Sequence, residues 1–175
     1  METPPGKERF LRLVEDNKGI IIKVCHSYCR DKGDREDLAQ EIIYQLWKSM
    51  HRFNGQYKFS TWMYRVALNT AISFYRKEKR GAAVVPFTGV DMDIADTSGD
   101  GREADSHLRL LQQFISRMKD LDRALILLYL EEKTYAEIAE IIGISETNVA
   151  TRLSRIKDKL KSDFSNISKK AYGRH

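Results

Sequence analysis

The chain has 175 residues, 42% hydrophobic and 31% charged, a mix that a soluble protein of one domain or two small ones can fold. Its 30 Lys and Arg against 25 Asp and Glu leave a formal charge of +5, compatible with a nucleic-acid partner but too mild to establish one. The longest apolar runs, such as Ala124 to Leu130, are too short to span a bilayer, and Met1 to Lys7 shows no secretory signal. A cytoplasmic protein without direct membrane insertion is expected, its two cysteines reduced.

Helical periodicity dominates, with no convincing strand alternation. Phe10, Leu13, Val14, Ile20, Ile21, Val24 and Tyr28 form the apolar stripe of a first helix. Cys25 and Cys29 stand four apart on it. A metal or redox site needs more ligands than this stretch offers, so they read as small core residues, and neither metal nor cofactor is expected. Asp34 is placed to cap a second helix, with Leu38, Ile42, Leu46 and Trp47 facing inward. His51 to Phe59, which contains Asn54-Gly55, reads as a loop, and Ser60 as the cap of a third helix running to about Arg80.

That third helix is apolar on most sides: Trp62, Met63, Val66, Ala67, Thr70 and Phe74 cover one face, and Tyr64, Leu68, Ile72 and Tyr75 much of another. Between them Arg65, Asn69, Ser73 and Arg76 line up as a narrow polar stripe, which a core helix does not need. The stripe runs into the basic cluster Arg76 to Arg80, and the loop ahead of the helix offers Phe53, Asn54, Tyr57, Lys58 and Phe59 as exposed candidates. Aromatics interleaved with cations suit single-stranded DNA, where each stacked base contributes about 1–3 kcal/mol. The same residues also fit a plain core with a solvated face, and composition alone slightly favours that plainer reading.

From Gly81 to about Ser106 the chain carries Asp91, Asp93, Asp96, Asp100, Glu103 and Asp105 and no lysine, the composition of a mobile acidic linker. The fold class expected is therefore all-α: two small helical domains, residues 1–80 and 108–175, joined by a flexible acidic linker over 81–107. In the second domain Thr134-Tyr-Ala-Glu137 is a capping box. Tyr135, Ile138, Ala139 and Ile142 mark the buried face of a short helix, Gly143 ends it, and Ser145 caps the next. Val149, Leu153, Ile156 and Leu160 bury that next helix. At about 100° per residue, Thr147, Thr151, Ser154 and Asp158 then point outward, flanked by Asn148, Ala150 and Arg155. Short polar groups and an arginine near the first turns suit base edges in a major groove, and Lys157, Lys159 and Lys161 suit phosphates. Arg152 lies nearer the boundary, placed either for a phosphate or for an acidic neighbour. A helical bundle that uses the turn only for packing is the blander alternative.

Asp34-Arg-Glu-Asp-Leu-Ala-Gln-Glu41 followed by Trp47, then Phe59-Ser-Thr-Trp-Met-Tyr-Arg-Val-Ala-Leu-Asn69 and Tyr75-Arg-Lys77, resembles region two of sigma factors. Thr134 through Ser145, with Val149, Arg152-Leu153 and Arg155, resembles region four. Order, spacing and size resemble the extracytoplasmic-function branch of the sigma-70 family. The resemblance implies a non-enzymatic factor that brings core RNA polymerase to promoter DNA and helps to open it. It implies docking on the polymerase β′ clamp helices through Asp37, Gln40 and Glu41, and a contact of the second domain with the β flap. It assigns the melted −10 element to Asn54, Lys58, Arg65, Asn69 and Arg76, with Lys77 and Arg80 beside them. The −35 duplex falls to Thr147, Asn148, Thr151, Arg152, Ser154, Arg155 and Lys157. An anti-sigma factor is an implied partner. Two positions depart from the pattern: Ser73 replaces the usual aspartate, and Thr147-Asn148 replaces the frequent Gly-Thr or Asn-Thr. A helix-turn-helix regulator that never joins polymerase would explain only the second domain.

Overall fold

The computed structural model describes residues 5–81 and 102–172, with side chains over 6–77 and 109–170. Every regular element among the described residues is helical. Most of the segment read as the acidic linker, and the side chain of Arg80, lie outside the described residues.

The expected first helix is two: α1 spans Pro5–Asp16 and α2 spans Lys18–Tyr28. The break falls at Asn17, whose φ of −117° and ψ of 14° leave the helical region while its side-chain amide donates to the Leu13 carbonyl at 2.8 Å. An asparagine gives the backbone this alternative to the helical ladder. The cap of α3, Lys32–Ser49, is Asp31 rather than Asp34. Its carboxylate accepts from the Gly33 N–H at 2.7 Å and the Asp34 N–H at 3.3 Å, which draws Lys32 and Gly33 into the helix. Asp34 falls in the first turn, where a negative charge favours the helix dipole. After a 3₁₀ turn at Met50–Arg52, α4 covers Phe59–Gly81. Ser60 lies inside it, because the Lys58 carbonyl accepts from Trp62 N–H at 3.2 Å and closes the first turn two residues earlier than expected.

Leu38, Ile42 and Leu46 of α3 pack among Val24 and Tyr28 of α2 and Met63, Ala67, Leu68 and Ala71 of α4, all buried. The two alanines let α4 approach its neighbours closely. Trp47 does not join this core: Phe10 of α1 takes the buried place, and the tryptophan ring, 46% exposed, meets it edge-on at 5.1 Å. Cys25 and Cys29 are buried, and desolvation pushes the Cys25 thiol up to about 11, which keeps it protonated.

The second module holds α5 (Arg102–Arg117), α6 (Asp120–Leu130), α7 (Tyr135–Ile142) and α8 (Glu146–Tyr172). Helix therefore starts at Arg102, ahead of Leu108. Leu125, Leu128, Ile138, Val149 and Leu153 form the inaccessible centre, with Ile156 buried beside them. The Thr134–Glu137 capping box is present, with the Glu137 N–H to Thr134 Oγ1 at 3.2 Å and the Thr134 N–H to Glu137 Oε2 at 2.8 Å. Gly143 ends α7 at a φ of +82°, and Ser145 Oγ accepts from the Asn148 N–H at 3.1 Å to cap α8. Tyr135, expected inside, is exposed, and Ile141 is buried instead: α7 also packs on α4, which turns its inner face. Beyond Leu160, α8 is braced by Phe164, whose ring lies 5.2 Å from that of Phe114 on α5.

The capping box sets a pH prediction. Its hydrogen bonds, the one from the Thr134 backbone first, hold the Glu137 carboxyl below its ordinary value. Its contribution is thus complete above the usual carboxylate range and is lost as pH falls through the lowered value. Thr134→Ala should cost about 1 kcal/mol in urea unfolding. Glu137→Gln should narrow its gap to wild type as pH is lowered.

The two modules are in contact. α7 meets α4, α5 and α6 meet α2, and the buried residues of both form one contiguous apolar cluster.

Candidate nucleic-acid interface

On α8 the apolar face is fixed against α6 and α7, so the opposite face is left to solvent. Thr147, Asn148, Thr151, Ser154 and Arg155 are all exposed there, on the first three turns. Among the described residues Arg155 makes no ion pair, leaving its whole guanidinium fork available. Thr151 donates its hydroxyl back to the Thr147 carbonyl at 2.9 Å, so it presents oxygen lone pairs and a methyl group outward. Arg152 pairs with an acidic neighbour: its guanidinium lies 3.3 Å from Asp122 on α6 and donates to Asn148 Oδ1 at 3.2 Å. Because arginine can only donate, the Asn148 amide must turn its oxygen inward and its NH₂ outward. Lys157 is half-buried, with its ammonium 4.1 Å from the centroid of the Tyr129 ring. Hydrogen bonding to Tyr129 raises its pKa, so it stays charged.

On the first module the polar stripe of α4 is real but unevenly open. Asn69, Ser73, Arg76 and Lys77 are exposed, whereas Arg65 is half-buried, 5.7 Å from the centroid of the Tyr57 ring. Arg65 also donates to the Glu140 carbonyl on α7, and Arg76 pairs with Asp120 at the start of α6 at 3.1 Å. In the loop, Asn54 Oδ1 accepts from the Gln56 N–H at 3.1 Å, shaping a tight turn in which Gly55 takes a φ of +76°. Asn54, Tyr57 and Lys58 are exposed, but Phe53 and Phe59 are not the open aromatics expected. With Trp62 they form a packed trio whose centroids are 5.3–5.5 Å apart, so only Tyr57 is left to stack on a base.

Asp37 and Gln40 are exposed on α3, and Glu41, half-buried, accepts from Gln45 Nε2 at 2.8 Å. Sequence reasoning missed what lies beside them. A groove of 390 Å³ between α1 and α3, lined by Lys7, Phe10, Leu11, Gln40, Ile43, Tyr44 and Trp47, is almost wholly apolar. The exposed Ile43, Tyr44 and Trp47, flanking the buried positions of α3, were the signal for it.

The comparisons agree with this geometry module by module. Residues 13–81 match the family described as Sigma-70 region 2, and residues 108–160 match Sigma-70, region 4. Over 92% of the chain and 91% of the relative's length, the sequence is 30% identical to the ECF RNA polymerase sigma factor SigW of Bacillus subtilis. The chain is an ECF sigma factor. Other relatives of this sigma factor include SigM of Bacillus subtilis, 30% identical over 81% of the chain and 86% of the relative. The ECF RNA polymerase sigma-E factor of Escherichia coli is 26% identical over 72% and 71%. Among solved structures, CnrH in complex with the cytosolic domain of CnrY superposes with a TM-score of 0.66, covering 91% of this chain and 90% of that one at 18% identity. RpoE in complex with the anti-sigma factor NepR from Bartonella quintana gives 0.58 over 89% and 94%, also at 18% identity. Both likenesses are of fold. No helix among the described residues of this sigma factor is long and apolar enough to cross a membrane.

Proposed function

We propose that this sigma factor, working in the cytoplasm, directs core RNA polymerase to promoters with a two-part grip and makes no chemical bond itself. In this reading the first module docks on the β′ clamp helices through Asp37, Gln40 and Glu41, whose carboxylates meet basic partner groups. It holds the melted −10 strand with Asn54, Lys58, Arg65, Asn69, Arg76, Lys77 and Arg80, helped by stacking on Tyr57. The second module meets the β flap and lays the first turns of α8 in the −35 major groove. The observation that carries the reading is the exposed face Thr147, Asn148, Thr151, Ser154 and Arg155, set opposite the buried Val149, Leu153 and Ile156. Arg152, held by Asp122, serves there as a support for Asn148, and Lys157 follows the phosphates. An anti-sigma factor is part of the proposal, since RpoE of Bartonella quintana was solved with one.

The test is reconstitution: purified chain added to sigma-free core polymerase, with the transcripts' start sites sequenced. Start sites that share −10 and −35 elements support the reading, and failure to direct specific initiation without any inhibitor present overturns it. Arg155→Ala tests the groove contact. A bidentate contact to a base predicts a loss of about 1–3 kcal/mol confined to one −35 position. An equal loss on every −35 sequence would mark a phosphate contact instead.

A further inference from the structure

Asn148 stands at one of the two places where the sequence departs from the family pattern, in the first turn of α8. Its backbone is pinned there: its N–H donates to Ser145 Oγ at 3.1 Å, and the Val149 N–H donates to the Ser145 carbonyl at 3.0 Å. Its side chain is exposed, yet it is not free to turn. Arg152 Nε, one turn on, donates to Asn148 Oδ1 at 3.2 Å, and Nη1 of the same guanidinium donates to Asp122 Oδ1 at 3.3 Å. Asp122 lies in the first turn of α6, which packs on α8 around the fully buried Leu125 and Leu153. A chain of three side chains therefore runs from a helix fixed on the core to the outward face of α8.

An asparagine amide has two ends, an oxygen that accepts and an NH₂ that donates. Free to use both, it pairs with adenine, accepting from N6 and donating to N7. Here the oxygen is taken by Arg152, so only N–H groups face outward. A flipped amide would set its NH₂ against a guanidinium that can only donate. Arg152 would release the amide by leaving for a phosphate, and Asp122 opposes that. Its side chain is 28% exposed, so salt screens this pair less than the open pairs of Lys18 and Lys32. Base edges in the major groove answer such a donor differently. Guanine presents N7 and O6 and thymine presents O4, all acceptors, whereas adenine and cytosine carry an amino group there.

We propose that Asp122, from outside the groove face, sets a base preference of the chain by fixing Asn148 as a donor. The base opposite Asn148 is then a keto base, guanine or thymine, in preference to adenine or cytosine. Asp122 is a positioning residue, acting through Arg152. The inference rests on the reading of α8 as the −35 groove helix and adds which base edge its first turn selects.

The test is transcription by holoenzyme, the full chain on sigma-free core polymerase, from promoters randomised across the −35 element, with the transcripts sequenced. N148A marks the position, as the one where the wild-type preference flattens. There the wild type should favour keto bases. D122A should raise adenine about fivefold relative to guanine, the size of one neutral hydrogen bond gained when the amide is free. R152M removes the donor without touching α6 and should produce the same shift, and urea midpoints report whether each variant is folded. In the N148A background neither change should shift that position further, because both act through the amide. The proposal is overturned by an amino base preferred there in the wild type, or by N148A altering no position. An unchanged preference in either variant that keeps its urea midpoint, or a shift that persists without Asn148, overturns it as well. So does an equal gain on every sequence in D122A, which would mark only a negative charge removed from near the phosphates. A wild type with no preference anywhere in the −35 element overturns the groove reading, and this inference with it.

Discussion

Arg123→Ala should lower the melting temperature of the chain by about 10 °C, the shift expected when about 3 kcal/mol is lost from a protein of this size. The side chain is 2% exposed, yet all its polar contacts are to backbone. It donates to the carbonyls of Ile115 at 3.2 Å, Ser116 at 2.7 Å and Met118 at 3.4 Å, which gather the end of α5 onto α6. Truncation leaves the part-buried Ser116 and Met118 carbonyls short of a donor, and it empties the space between Tyr28 and Tyr75. Arg123→Lys keeps the charge but loses the planar fork, so it should recover less than half of the loss. Thermal unfolding followed by circular dichroism reads both. Full recovery by lysine would mean that charge, rather than the fork's simultaneous hydrogen bonds, is what the site needs.

Leu153→Ala should be comparably damaging for a different reason. Leu153 is fully buried between α8 and its partners, and the cavity left by three missing heavy atoms costs about 2–5 kcal/mol in tightly packed sites. The second module is small, so a loss of that size should release the recognition face as well, and duplex DNA binding should fall together with the urea midpoint. Arg155→Ala is the contrast, with DNA selectivity lost and unfolding unchanged, because Arg155 is exposed and makes no ion pair among the described residues. If Leu153→Ala lost DNA binding at an unchanged urea midpoint, its role would lie in the contact rather than in the core.

What was legible in the sequence was what is decided within about one helical turn. Thr134 with Glu137, Gly143 and Ser145 each declare a helix end through groups three or four residues apart, and the structure has all of them. The spacing of Val149, Leu153 and Ile156 fixes one face of α8 and so the other by exclusion. Where two acids competed to start α3, reach decided for Asp31 over Asp34, and a sequence does not display reach. Tyr135, Trp47, Phe53 and Phe59 went elsewhere than expected because their placement depends on what packs across from them: α4 under α7, Phe10 beside α3, and Trp62 between two rings. The engagement of Arg65 and Arg76 joins residues 75 and 44 positions apart, and no periodicity reports on such a pair. Roles at the candidate sites came from resemblance to sigma factors; periodicity supplied only the faces on which those residues stand.

Helix α8 is also a long shaft. Its 27 residues, rising about 1.5 Å each, make a rod about 40 Å long, of which only the leading turns carry the outward polar face. Its leading turns are held against α6 and α7, and near the trailing end Phe164 leans on Phe114 of α5. The angle at which Thr147 and Arg155 would enter a groove is thus set at the near end of the shaft, by α6 and α7, while α5 steadies the far end.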